Sequence, residues 1–163
     1  HAVPVRLLQQ LRDRLQRFER PEPPASVTLA AIGYVRNAVA RPRPRGWERV
    51  ESRIELLPQH RAKAEGIAQY SHVVVVFYAD LAAAAPEKPE RLTLESGNSY
   101  GILATRSQLR PNHLGVSVVP LLRAEDGTLV VRGLDAIDRT PVLDVKPYLP
   151  AYDSVPGARI PQP

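Results

Sequence analysis

Within Thr105-Arg-Ser-Gln-Leu-Arg-Pro-Asn112, the side chains of Thr105, Arg106, Ser107, Arg110 and Asn112 can donate hydrogen bonds to a ligand. Two guanidiniums and an amide on one short connection suit an anionic or zwitterionic ligand, because guanidinium pairs with carboxylate through paired N–H donors. Pro111 fixes its own φ and drives Arg110 towards extended geometry, so the connection is expected to be stiff. A solvated surface turn is the competing reading of the same residues. Two further polar groups fall at the ends of apolar runs: Asp135 and Asp138, and the set Asp144, Lys146 and Tyr148. A carboxylate pair beside cationic and amide donors can hold a zwitterion with an adenosine-like head, one carboxylate accepting from ribose hydroxyls or an exocyclic amine. Turn capping is the competing reading of these aspartates, as in Asp138-Arg-Thr-Pro.

Other chemistries lack their residues. The chain has no cysteine, which excludes disulfides, thiolate metal sites and cysteine nucleophiles. His1, His60, His72 and His113 show no metal-ligand spacing, so no metal is expected. Neither a Gly-x-Ser-x-Gly elbow nor a phosphate-binding glycine loop is present. No apolar run reaches the roughly 20 residues that span a bilayer, so no membrane association is expected, nor is a signal peptide visible in these residues. A cytoplasmic setting fits that pattern. The net charge of +5 favours a polyanionic partner, most naturally nucleic acid.

The elements that must position these residues follow from periodicity. Residues 5–20 have helical spacing, with Leu8, Leu11, Leu15 and Phe18 on one stripe and arginines elsewhere. This predicts an amphipathic helix that packs on the main domain or a neighbouring subunit, or turns its basic face to RNA. Pro21, Pro23 and Pro24 end it. Strands are predicted over 27–35, 50–56 and 70–80, the last with an unbroken apolar centre that suggests burial on both faces. Between the first two runs lies a loop, 36–46, that carries four arginines. Trp47 reads as a packing residue, and His72 as a structural histidine. Residues 58–67 read as a short helix starting at Pro58, and 81–99 as a long loop with a short strand near 91–95. The apolar runs 100–104 and 114–122 flank the donor-rich connection, and Asp126-Gly127 marks a hairpin leading into the strand 129–134. Seven or so short strands with few helices suggest an all-β barrel or sandwich.

Three segments also carry a family resemblance: Ala104-Thr-Arg-Ser-Gln-Leu-Arg-Pro-Asn-His-Leu-Gly-Val-Ser117, Gly133-Leu-Asp-Ala-Ile-Asp138 and Thr140-Pro-Val-Leu-Asp-Val-Lys-Pro-Tyr-Leu-Pro150. Together with Ile32-Gly-Tyr-Val-Arg36 and Tyr70-Ser-His-Val73, they resemble the TsaA/TrmO (YaeB-like) family over roughly residues 27–154. The resemblance implies a mainly β protein. Its parts are an N-terminal helix and proline-rich linker (1–24), a single β-barrel domain (25–154) with a short additional helix, and a C-terminal tail (155–163). It further implies an S-adenosyl-L-methionine-dependent methyltransferase, homodimeric, that methylates N6 of threonylcarbamoyl-adenosine beside the anticodon of tRNA. A non-catalytic S-adenosylmethionine-binding regulator and a small-molecule methyltransferase are the alternatives.

Carried over by motif, the implied cofactor contacts are Arg106, Val116 and Asp135, Ala136, Ile137 and Asp138. Pro44, Arg45 and Gly46 on the arginine-rich loop, and Asp80 and Leu81 after the third strand, match further contact regions. Arg110, Asn112, Lys146 and Tyr148 are assigned to substrate, and Asp138 is the candidate base for the weakly nucleophilic, urea-like N6. The chain departs from the family pattern at Ser107-Gln108, at Asn112-His113, where Asn-Pro is usual, at Asp138-Arg139, where Asp-Gly is usual, and near Asp80, where a histidine is often found.

Overall fold

The computed structural model describes residues 4–16 and 20–161. The chain forms α1 (Val5–Gln16), β1 (Gly33–Arg36), β2 (Glu51–Leu56), β3 (His72–Tyr78), α2 (Asp80–Ala84), β4 (Arg91–Thr93), β5 (Ser99–Gly101), β6 (Leu114–Glu125), β7 (Thr128–Arg132), β8 (Pro141–Pro147) and α3 (Pro150–Asp153). Six strands close into a barrel in the order β1-β2-β7-β6-β3-β8, and β4 and β5 form a separate hairpin. Every barrel pairing is antiparallel. Closure leaves no free sheet edge and gives each strand one inward face.

The core follows from that single inward face. Val35, Ile54, Val73, Val75, Val131, Leu134 and Val142 are fully shielded, with Phe77 and Leu129 beside them. Burial on β3 alternates: Val73, Val75 and Phe77 point in, whereas Val74, Val76 and Tyr78 are only half-buried on the outside. The unbroken valine run was expected to be buried on both faces; the barrel covers one.

Several boundaries move for local reasons. The predicted strand 27–35 shrinks to Gly33–Arg36: the backbone joins β8 and the end of β2 from Ile32 onward, and Val27 and Leu29 stay exposed. Residues 58–64 coil as a 3-10 turn rather than an α-helix, and Gly66 then takes φ 88° before a second such turn at 67–69. The run 100–104 is strand only to Gly101 and then tightens into a 3-10 turn over 102–104. In the stretch read as loop, α2 begins immediately after β3. The Asp126-Gly127 hairpin has φ of 49° and 78°, both positive as a two-residue turn of the type I′ class requires.

On α1, Leu8, Leu11 and Leu15 are exposed rather than packed on the barrel. Phe18, the fourth member of the predicted stripe, lies outside the described residues. No helix among the described residues is long and apolar enough to cross a membrane.

Gly115 is where packing reaches towards function. It pairs in register with Phe77, and a Cβ built on it would overlap the Phe77 ring. Glycine there lets the ring lie over β6 at the end of the barrel where the loops gather.

Candidate functional site

Antiparallel pairing brings the C-terminal ends of β1, β3 and β7 to the same end of the barrel as the N-terminal ends of β2, β6 and β8. The connections that carry the sequence-predicted residues leave from that end. Together they enclose a cavity of about 830 Å³. The β1–β2 connection supplies Pro42, Arg43, Pro44 and Trp47; the end of β3 and α2 supply Phe77, Asp80 and Leu81; the segment before β6 supplies Arg106 to Leu109; the β7–β8 loop supplies Asp135, Ala136 and Ile137. Of the residues predicted for cofactor, the cavity thus gathers Pro44, Asp80, Leu81, Arg106, Asp135, Ala136 and Ile137.

Each wall is fixed by identifiable bonds. The Arg106 Nη2 donates to the Val116 carbonyl oxygen at 2.8 Å, which holds the guanidinium against β6. Val116 therefore contributes its backbone to the site, while its side chain is exposed on the outer face. Ser117 Oγ donates to Asp135 Oδ1 at 2.5 Å, a charge-assisted bond across two elements.

Asn37, just after β1, is the residue that sequence reasoning missed. Its Nδ2 donates to the Ala136 carbonyl at 2.8 Å and to Ser52 Oγ at 2.9 Å, and its Oδ1 accepts from Val39 N at 2.9 Å. Ser52 is 1% exposed, so this amide satisfies a buried hydroxyl while anchoring the β7–β8 loop. An asparagine at a strand end that bonds the backbone two residues on is a turn signal, and that was its one visible mark.

Asp138 faces elsewhere. It does not line the cavity; its Oδ1 accepts from Asn37 N at 3.0 Å and lies 3.4 Å from Arg36 Nε, and its Oδ2 lies 3.8 Å from Arg139 Nε. Arg139 holds φ 71°, a conformation in which glycine is unstrained and arginine is not.

On the arginine-rich loop, Arg43 stacks over Trp47 at 5.0 Å, and Trp47 Nε1 donates to the Arg43 carbonyl at 2.9 Å. Trp47, expected only to pack, thereby presents its ring to the cavity. Gly46 supplies the positive φ of 86° that turns the loop. Arg45 points to Glu95 of the β4–β5 hairpin, 3.4 Å away, in an exposed pair that contributes little stability. Neither Arg45 nor Gly46 lines the cavity.

The residues assigned to substrate divide. Arg110 and Asn112 stay at this end of the barrel; Arg110 Nη1 donates to the carbonyls of Thr105 at 2.6 Å and Ser107 at 3.3 Å. Lys146 and Tyr148 sit at the opposite end, where Tyr148 N donates to the His72 carbonyl at the start of β3. Lys146 Nζ lies 2.8 Å from Asp144 Oδ2, and that hydrogen bond and charge hold the exposed lysine above its usual pKa. His72 itself is exposed at that rim and bonds Ser71 Oγ at 2.8 Å.

The donor set suits an amino-acid-bearing nucleoside. Arg106 is a guanidinium without a carboxylate partner among the described residues, Asp80 and Asp135 are carboxylates lining the same cavity, and Trp47, Phe77 and Leu81 give apolar and aromatic surface. A zwitterionic carboxylate and ammonium, ribose hydroxyls and a flat purine all find complementary groups there.

Comparison with known proteins bears on the same region. Residues 34–154 match the model of the tRNA-methyltransferase O N-terminal domain. A putative S-adenosylmethionine-dependent methyltransferase RcsF of Pseudomonas aeruginosa is 41% identical, the match covering 82% of this chain and 59% of that protein. The human tRNA (adenine(37)-N6)-methyltransferase is 38% identical over 65% of this chain and 24% of its own length. Among solved structures, that of TrmO from Pseudomonas aeruginosa superimposes with a TM-score of 0.66 at 35% identity, covering 82% of this chain and 61% of that one. The chain thus spans less than two thirds of the length of these relatives.

Proposed function

The chain belongs to the family of tRNA-methyltransferase O N-terminal domains, and from that premise we propose that it transfers a methyl group from S-adenosyl-L-methionine to N6 of adenosine 37 in tRNA. The acceptor on this reading is the adenosine already carrying a threonylcarbamoyl group. The observation that carries the proposal is the cavity at the loop-bearing end of the barrel, where Arg106, Asp80 and Asp135 surround an apolar and aromatic interior.

S-adenosyl-L-methionine, when bound, supplies an electrophilic methyl group. Arg106, held by the Val116 carbonyl, pairs with its carboxylate, and Asp80 lies on the wall where an ammonium is balanced. Asp135, oriented by Ser117, accepts from ribose hydroxyls or the exocyclic amine, and Trp47 and Phe77 bound the flat ring. Methyl transfer to nitrogen is an in-line displacement in which the N–CH3 bond forms as the S–CH3 bond breaks, the thioether departs and the N6 proton passes to solvent, so the rate comes mainly from holding donor and acceptor in register. The hydrogen bonds that fix each wall serve that end. Asp138 holds the loop through Asn37 and Arg36, and we assign it a positioning role in preference to that of base.

Homodimerisation belongs to the same reading. Leu114, Val116, Val118 and Leu122 stand exposed on the outer face of β6, directly behind the carbonyl that anchors Arg106. A tRNA substrate also implies a cytoplasmic location.

The test is incubation with isotopically labelled S-adenosyl-L-methionine and tRNA with or without the threonylcarbamoyl group, followed by mass spectrometry of the nucleosides. Label at N6 of the modified adenosine alone supports the proposal. Cofactor binding with every tRNA left unlabelled would make the protein a regulator instead.

A further inference from the structure

A second cavity, of about 690 Å³, adjoins the first along the segment that carries Arg106. Its interior is apolar, built by Ile102, Leu103, Ala104, Leu109 and Pro111. Leu109 lines both cavities, so the two adjoin at that residue.

The rim of the second cavity has unusual features. Arg110 is the one arginine among the described residues that is not exposed, and it takes part in none of their ion pairs. A half-buried guanidinium without a carboxylate is costly unless an anion completes it. Its Nη1 is occupied by the Thr105 and Ser107 carbonyls, which aims the group without neutralising it. Beside it, Asn112 and His113 hold φ of 64° and 51° in succession, a left-handed pair that side-chain-bearing residues adopt at a cost. The outcome of that strain is a fixed imidazole. His113 Nδ1 donates to the Gln108 carbonyl at 3.0 Å, which leaves Nε2 as the ring nitrogen open to a ligand. The other charged groups on the rim are Lys88, whose Nζ donates to the Ala83 and Ala85 carbonyls at the end of α2, and Glu90.

We infer that this second cavity is the acceptor pocket: it receives a flat heteroaromatic base bearing a carboxylate, with Arg110 pairing with the carboxylate and His113 Nε2 accepting an N–H of the base. The apolar slot provides for the ring, the guanidinium for the anion, and the junction of the two cavities at Leu109 for contact with the cofactor's methyl group. This rests on the methyltransferase reading and gives its acceptor site a position and two specificity residues.

The test uses the full chain with two free nucleosides, N6-threonylcarbamoyladenosine and adenosine, measured by calorimetry in the presence of S-adenosyl-L-methionine. The carboxylated nucleoside should bind about tenfold more tightly, the worth of one charge-assisted contact. Arg110→Gln should erase that preference. Ala104→Trp, which fills the slot and retains the Arg110 guanidinium, should abolish binding of both nucleosides. In both variants cofactor affinity should stay within about twofold, which shows that the first cavity is intact. Equal affinity of the wild type for the two nucleosides, or unchanged binding in Ala104→Trp, would overturn the pocket. Nucleoside binding as described without methylation of any tRNA would leave the pocket standing and remove the methyltransferase reading.

Discussion

Ser117 Oγ donates to Asp135 Oδ1 at 2.5 Å, so the barrel strand β6 orients a carboxylate on the β7–β8 loop. The same stretch of β6 also holds Arg106, through the carbonyl of the preceding Val116. Two groups of opposite charge are therefore set by adjacent residues of one strand, and their separation is governed by barrel geometry rather than loop motion. Ser117→Ala should lower S-adenosyl-L-methionine affinity by about five- to tenfold, about 1 kcal/mol, because the bond orients Asp135 and does not itself touch the ligand, with little change in melting temperature. Calorimetric titration beside thermal unfolding checks both halves of that statement.

Asn37 should behave in the opposite way. Replacing it with alanine leaves the buried Ser52 hydroxyl and the Ala136 carbonyl without their donor, and an unpaired buried polar group costs about 1–3 kcal/mol. For a chain of this size that corresponds to a melting temperature lower by several degrees, at about 2–4 °C per kcal/mol. Urea denaturation of Asn37→Ala against wild type measures it. A change confined to cofactor affinity, with stability intact, would show that Asn37 does not brace the barrel.

Gly115→Ala places a methyl against the Phe77 ring. Overpacking of this kind costs about 1–3 kcal/mol, and because Phe77 forms part of the cavity floor, cofactor affinity should fall as well. Phe77→Leu in the same chain should restore most of the lost stability. A double-mutant cycle on unfolding free energies tests that coupling, and additive losses would refute it.

How much of this was legible in the sequence differs between the walls of the site. The barrel strands announced themselves through alternation and through Asp126-Gly127, and the donor-rich run 105–112 was visible as residue types. What periodicity could not show was facing. Lys146 follows the β8 alternation as well as any residue, yet antiparallel pairing of β8 with β3 carries it to the far end of the barrel. Asp138 sits three residues from Asp135 and reads as its equal, but the left-handed turn at Arg139 and the bond from Asn37 direct it outward. The contribution of Asn37 depends on partners 15 and 99 residues away, a separation that local patterns do not register.

The outward direction of Asp138 leads to a kinetic expectation. Asp138→Asn keeps the side-chain oxygen that accepts from Asn37 N and loses the charge that faces Arg36 and Arg139. Methyl transfer should persist within about tenfold of wild type, below the loss of about 100-fold or more that removal of a general base produces. Single-turnover transfer to threonylcarbamoylated tRNA at saturating cofactor measures it, and a loss beyond 100-fold would restore Asp138 as the base.

Arg106 and Arg110 stand four residues apart, and the two cavities they line share only the short segment between them. Arg106→Gln should weaken S-adenosyl-L-methionine binding by about 10- to 100-fold, since hydrogen bonds to a charged group contribute about 1.5–3 kcal/mol. The KM for tRNA should hardly change, because that guanidinium faces the first cavity. Arg110→Gln should show the converse, with a raised KM for modified tRNA and a cofactor Kd close to wild type. Measuring both constants for both variants gives a two-by-two result in which only crossed effects fit two separate sites. If either substitution moved both constants equally, the segment would be acting as one structural unit, and the division of roles between its arginines would be wrong.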